Sequence, residues 1–324
     1  MAWIYKARVR EVSISEWEPT PNPFITFLAA PPAHIDRTFP KLRRILIQES
    51  KGQLRIPDYH FLLGPFVECV DLRLGENPSV NDALTESIIR SVPEVCSKLM
   101  DFSVTWYSHT PPPWSPQAIS ETVVRIDHFK TLQCPAPSSH VIMHINQLPS
   151  LGVLVLNPLP LYDAAASKTG EISIYDFASL YSLQMTTDGF DAITAFVRRL
   201  KNLPDTVTIY LGTSPQPSAL ENFFGYLGNF HNRDFDSLTL RKESSQVEVI
   251  SDMDDPGPPI TLQTLRPLLQ CDGLYTLDIT VTSPISLTDT DIRNMSLAWP
   301  NLRIFALNES NGCTRKIFQY NLPI

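Results

Sequence analysis

Glycine is scarce in this sequence, 12 residues of 324 against 29 prolines. Average usage runs the other way, with glycine at about 7% and proline at about 5%. The glycine motifs that carry chemistry are missing too: there is no GxGxxG, no GxxxxGK[ST] and no GxSxG. That removes the dinucleotide turn, the phosphate-cradling loop and the nucleophile elbow. No run of eighteen apolar residues occurs, so no helical membrane span is predicted. The first residues, MAWIYKARVREV, place charges where a signal peptide needs its apolar stretch. The five cysteines are odd in number and contain no CxxC, a pattern that predicts reduced, buried thiols in an intracellular protein, cytoplasmic or nuclear. Cys69, Cys96, Cys134 and Cys271 lie in or beside apolar phrases and read as small core residues. A net charge of −8 and a pI near 5.4 lack the basic face that nucleic-acid binding requires. Apolar content of 43% with 19% charge argues against a disordered chain.

What the chain has instead is a phrase that returns. AWPNLRIFALNES, from Ala298, repeats in outline as TFPKLRRILIQES at Thr38, QLPSLGVLVLNPL at Gln147 and NLPDTVTIYLGTS at Asn202. Proline ends a helix and opens an extended segment. The core of the phrase is apolar-x-x-apolar-x-apolar. Allowing Cys or Thr at one place, it starts at Val9, Leu42, Cys69, Leu99, Phe129, Leu151, Leu180, Thr206, Phe235, Leu274 and Leu302, with steps of 22 to 39 residues. The mean step is close to the upper end of the leucine-rich-repeat period, about 20–29 residues.

Amphipathic stretches lie between the phrases. Asp188 caps a predicted helix carrying Phe190, Ile193, Val197 and Leu200 and stopped by Pro204. Leu220, Phe223, Phe224 and Leu227 form a second face, and Leu84, Ile88 and Val92 a third. Thr288 or Asp289 caps a fourth, with Ile292, Met295 and Trp299. One strand and one helix cannot bury both apolar faces alone; stacked copies make a continuous core. The expected fold is therefore an α/β leucine-rich-repeat solenoid, a right-handed horseshoe of about 10–11 irregular repeats. Parallel strands line its concave side and helices its convex side. It is read as a single domain over 1–324, with degenerate repeats from about 5 to 310 and a long acidic loop over about 242–259. Leu42, Ile45, Ile47, Leu151, Leu154, Leu156, Leu277, Ile279, Phe305 and Leu307 are its predicted core. A doubly wound sheet would show longer apolar strands and a glycine-rich phosphate turn.

The C-terminal stretch Ile260–Leu307, with TLRPLL followed by LYTLDI and then LTDTDIRNMSLAWPNLRIFAL, resembles the closing repeats of the basidiomycete fungal F-box/leucine-rich-repeat family. YKARVREVSIS, FPKLRRILI and LQCPAPSSHVIMHINQLPSLGVLVL fit its earlier repeats, so the resemblance spans about residues 5–310. It implies a repeat region that holds a protein target for a cullin-based ubiquitin ligase. Two departures accompany it. Only Asn77 falls at the asparagine position of the usual repeat, so no asparagine ladder is expected. The F-box that would dock a Skp-family adaptor and cullin is not in the chain, since Met1 lies eight residues from the first phrase. A free-standing repeat scaffold with no part in ubiquitin transfer is the alternative.

No enzyme activity, cofactor or metal is expected. His140 and His144 stand at i and i+4 but lack the neighbouring Glu and a third ligand. SDMDDPGPP at Ser251 lacks the alternating ligands and closing Glu of a calcium loop. FVRRLK at Phe196 reads as outward-facing charge, and the sequons at Asn294 and Asn308 carry little weight without secretion. What remains is a protein-binding surface made of the residues between strand apolar positions. Arg44, Asp71, Arg73 and Asp101 open it with charge; Thr131, Ser182, Thr208 and Ser237 continue it with hydroxyls. Tyr210 belongs to the same set, and TWYSHTPPPW adds Trp106, Tyr107 and Trp114. Trp, Tyr and Arg are the residues most enriched at binding hot spots, although these rings would equally serve to cover the edge of the core. The expected partner is a protein on the concave face, with no nucleic acid and no membrane.

Overall fold

The computed structural model describes residues 8–16, 39–49, 59–74, 82–106, 115–135, 137–157, 174–230, 235–242 and 258–308. The acidic stretch 251–257, Asn77, Tyr107 and Trp114 lie outside them. The chain divides into two compact units, residues 1–157 with 177–179, and residues 158–176 with 180–324.

Among the described residues of the first unit, six strands follow one another: β1 (Glu11–Glu16), β2 (Arg44–Glu49), β3 (Cys69–Leu74), β4 (Asp101–Trp106), β5 (Thr131–Cys134) and β6 (Val153–Leu156). Each pairs in parallel with the next in chain order. The helices α1 (Asp82–Val95), α2 (Ser115–Val123) and α3 (Ser139–Ile145) alternate with the later strands. The second unit repeats the plan with β7 (Ser182–Thr187), β8 (Thr206–Leu211), β9 (Ser237–Lys242), β10 (Thr276–Thr280) and β11 (Ile304–Leu307), again parallel and in order. Its helices are α4 (Phe190–Val197), α5 (Pro217–Gly228), the short α6 (Leu262–Leu265) running into a 3-10 turn, and α7 (Asp289–Ala298).

Within each unit the strand order never reverses. A doubly wound sheet must reverse once, and right-handed crossovers then put helices on both faces. Without a reversal they fall on one. Burial agrees: β4, β7 and β8 alternate half-buried and buried residues, the pattern of a sheet covered on one face only. The α/β repeat expected from the phrases is thus observed in both units.

One hydrogen-bond device recurs where strands begin. The Arg10 carbonyl accepts from the amides of both Arg43 and Arg44, and the Glu68 carbonyl accepts from those of Met100 and Asp101. In the second unit the Asp236 carbonyl accepts from Tyr275 and Thr276, and the Tyr275 carbonyl from Arg303 and Ile304. An oxygen with two lone pairs satisfies both donors. The device sets one residue of each repeat, its entry position, beside that of the next.

Nine of the eleven phrases start in the structural register. The third and eighth are corrected by two residues each. Ile45 pairs with Val70, so the counterpart of Leu42 is fully buried Val67 and not Cys69. Leu183 pairs with Val207, so the counterpart of Leu180 is buried Pro204 and not Thr206. A slip of two leaves every side chain on its own face, which is why Asp71 and Arg73 keep their predicted orientation. Eight of the ten predicted core residues are buried, but Phe305 and Leu307 are only half-buried. Among the described residues β11 pairs with β10 alone, so it is covered from one side.

The helices hold further corrections. Leu84 is 38% exposed, and Ile88, Ile89 and Val92 make the buried face of α1. Gly189, not Asp188, is the N-cap of α4. Thr288 does cap α7, reciprocally with Asp291. Pro93 lies inside α1, which continues to Val95. Proline has no amide to give the carbonyl four residues back, which is that of Ile89. The buried Thr122 hydroxyl of α2 donates to that oxygen instead, at 2.9 Å. Trp299 does a comparable job in the second unit: its Nε1–H donates to the Leu268 carbonyl of the preceding repeat at 2.9 Å.

Candidate protein-binding face

The uncovered face of the first unit is ordered by register. Arg44, Cys69, Asp101 and Thr131 are successive partners in one row across β2 to β5. Strands lie about 4.8 Å apart, so Arg44 and Asp101 flank Cys69 at one strand spacing each. Asp71, Ser103 and Gln133 form the next row, and Arg73 and Thr105 the third. Side chains join these rows. Arg73 donates to Asp71 Oδ2 through Nε (3.1 Å) and Nη2 (3.0 Å). The Ser103 hydroxyl lies 2.9 Å from Asp71 Oδ1 and 3.3 Å from Gln133 Oε1. The Arg73 and Asp71 side chains are 48% and 19% exposed. An ion pair this open contributes about 0.2–1 kcal/mol, little enough to rearrange for a partner. Burial and the Asp101 carboxylate push the Cys69 thiol up, with Arg44 pulling the other way. Cys69 is half-buried on the uncovered face between two charges, and is not the core residue its apolar phrase suggested.

Trp106 departs from this set. It is the last residue of β4, pairs with buried Leu74 and is half-buried. By strand alternation it belongs to the row that faces the helices. Tyr107 lies outside the described residues. Tyr210 is half-buried on the uncovered face of the second unit, between Thr186 and Arg241.

The second unit's face is made chiefly of hydroxyls. Ser182, Thr206, Ser237 and Thr276 form one row, and Gln184, Thr208, Thr239 and Asp278 the next. Asp278 is 6% exposed. Arg241 Nε donates to its Oδ2 at 2.9 Å, and Nη2 of the same guanidinium reaches that oxygen as well. The Arg241 side chain is 50% exposed, so only the acidic half of this pair is buried. Asp278 and the hydroxyl rows sit between strand apolar positions and were legible from the alternation rule, whereas Arg241 follows the last such position, Leu240. Ser182, Thr208 and Ser237 of these rows are among the residues expected from the sequence, whereas nothing in residue type singles out the Arg241–Asp278 pair.

Other candidates have mundane settings. His140 Nδ1 lies 3.0 Å from the Ser138 hydroxyl, and His144 Nε2 3.6 Å from Asp127. Among the described residues no three His, Cys, Asp or Glu side chains gather as metal ligands. Asn308 of the second sequon is 2% exposed and at φ 52°. Its Oδ1 accepts from the Val281 amide (2.8 Å) and its Nδ2 donates to the Ser283 carbonyl (2.6 Å). So a buried asparagine does fasten one repeat to the one before, at a place the usual repeat pattern does not mark. A groove of about 530 Å³ lies between α5 and the segment after Ile260, lined by polar residues including Glu221, Gln263 and Arg266. The Glu221 carboxylate already accepts from Gln263 there, at 3.0 Å. No described helix is long and apolar enough to cross a membrane. Comparison with family models and with curated proteins finds no match.

Proposed function

We propose that this chain is a protein–protein interaction module that holds its target on the uncovered strand faces. The supporting observation is the first unit's face, where Arg44, Asp101, Asp71 and Arg73 stand in register on neighbouring strands. The strand residues that form the core do not need these groups, which stand on the face that no helix covers. A rigid sheet presents these groups in fixed rows, which favours selection of a partner by charge pattern. The resemblance of Ile260–Leu307 to fungal F-box/leucine-rich-repeat proteins narrows the proposal to target recognition for a ubiquitin ligase.

Quantitative affinity capture tests the face. Reversing Arg44, Arg73 and Asp101 together, to Glu, Glu and Lys, should reduce capture of specific partners at least tenfold. Arg125→Glu, on the helix side, should leave it unchanged. Partners that survive the triple reversal would rule this face out. The ligase reading has its own test: the native product, with every upstream exon, should capture a Skp-family adaptor. Capture of target without adaptor leaves a free-standing scaffold.

A further inference from the structure

Large exposed side chains gather at the strand-entry end of the second unit. Tyr181 is 55% exposed, Tyr275 40% and Ile304 51%. The two tyrosines occupy entry positions, as do Asp205, Asp236 and Arg303. Side chains at successive entry positions meet. In the first unit Arg43 reaches Glu68 at 2.9 Å, and in the second the Arg303 guanidinium lies over the Tyr275 ring, 5.1 Å from its centroid. The lip therefore reads Tyr181, Asp205, Asp236, Tyr275, Arg303 across five strands. Half-buried Asp205 is already engaged, whereas Asp236 is exposed. Strand spacing puts Asp236 about 5 Å from Tyr275 and about 10 Å from Tyr181.

An exposed carboxylate one strand from an exposed ring suits one side chain above others. A guanidinium is planar, stacks on aromatic faces and donates in a fixed fork to carboxylates; an ammonium is only a point charge. Arg303 on Tyr275 shows that the lip accepts this stacking. We propose that the lip docks an arginine-bearing extended segment of the protein partner. Its guanidinium donates to Asp236 and stacks on Tyr275, and Tyr181 receives the next side chain along. This rests on the interaction-module reading and gives it a partner chemistry.

The test uses the full chain and Gly/Ser peptides of ten residues carrying two arginines, two lysines or two citrullines, with binding followed by NMR titration. Arginine peptides should bind at least fivefold more tightly than lysine or citrulline ones. Asp236→Asn and Tyr275→Ala should each cost at least fivefold, Asp127→Asn nothing, and Arg303→Ala should tighten binding by freeing the ring. Equal binding of lysine peptides would reduce the lip to general attraction by an acidic protein and overturn the proposal. So would Asp236→Asn and Tyr275→Ala chains that fold and bind as the parent does. The peptides probe the lip directly. A natural partner lost only on reversing the first unit's face would therefore sink this inference and leave the broader reading standing.

Discussion

The two units share one repeat and dress it differently. In the first, neighbouring helices are joined by ions: Arg90 of α1 pairs with Glu86 and also with Glu121 of α2, and Arg125 pairs with Glu94. In the second, rings and close backbone do the joining. Phe190 meets Phe223 edge-on at 5.3 Å, and Gly228 lets α5 approach the Pro267 carbonyl. The uncovered faces differ in parallel, charged rows in one unit and hydroxyl rows in the other. The repeat constrains only the positions that enter the core. Everything between them is free to specialise, and that is where the proposed binding chemistry stands.

Core truncation should erase the contrast. Leu154→Ala in the first unit and Leu238→Ala in the second both remove fully buried side chains and should each cost about 2–5 kcal/mol. Leu307→Ala, half-buried on β11, should cost clearly less by denaturant titration. The glycine pair in α5 sharpens the difference in helix packing. A Cβ on Gly228 would sit 2.5 Å from the Pro267 oxygen, whereas one on Gly225 meets nothing within 4 Å. Gly228→Ala should destabilise by about 1–3 kcal/mol through overpacking. Gly225→Ala should stabilise by about 0.5–1 kcal/mol through helix propensity. In the first unit the corresponding weak point is a carbonyl. Thr122→Val keeps shape but leaves the Ile89 oxygen without its hydroxyl donor, at a cost of about 1–3 kcal/mol.

Thiols report each unit separately. Burial pushes Cys134 up to about 12 and Cys96 to about 11 in the first unit, and Cys271 to about 11 in the second, from 9.0. These folded values lie above the unfolded one, so the unfolded chain releases its protons first. The stabilisation is complete below about pH 9 and is lost as pH rises through 11 to 12. Of the four described cysteines, iodoacetamide should modify Cys69 first, and Cys134 and Cys271 only as their own units open. Native labelling of Cys134 at neutral pH as fast as a free thiol would contradict its burial. The smallest effect concerns the exposed Asp71–Arg73 pair: Arg73→Ala should cost about 0.2–1 kcal/mol, less at high salt. Thr208→Val on the hydroxyl face should show no salt dependence.

The fold was largely legible because its signal is repetition. Leu42, Ile45 and Ile47 or Phe235, Leu238 and Leu240 name their strand without help. Cys69 and Thr206 misled because either residue passes for apolar in a degenerate pattern, and only pairing with Arg44 and Ser182 fixes the register. Of the candidate site, Arg44, Asp71, Arg73 and Asp101 were found by alternation. Trp106 was grouped with them by residue type, and its strand parity sets it apart.

By itself the sequence determined the repeat, its period and the two faces of each strand, because apolar periodicity records which side must leave water. Only the tertiary structure decided which residues become neighbours across repeats. Thr122 reaches a carbonyl that Pro93 cannot serve, Asn308 ties down Val281 and Ser283, and Tyr275 comes to lie between Asp236 and Arg303. Those pairs are separated by about a repeat or by irregular loops. Parallel pairing brings them together through backbone hydrogen bonds, which carry no trace of side-chain identity.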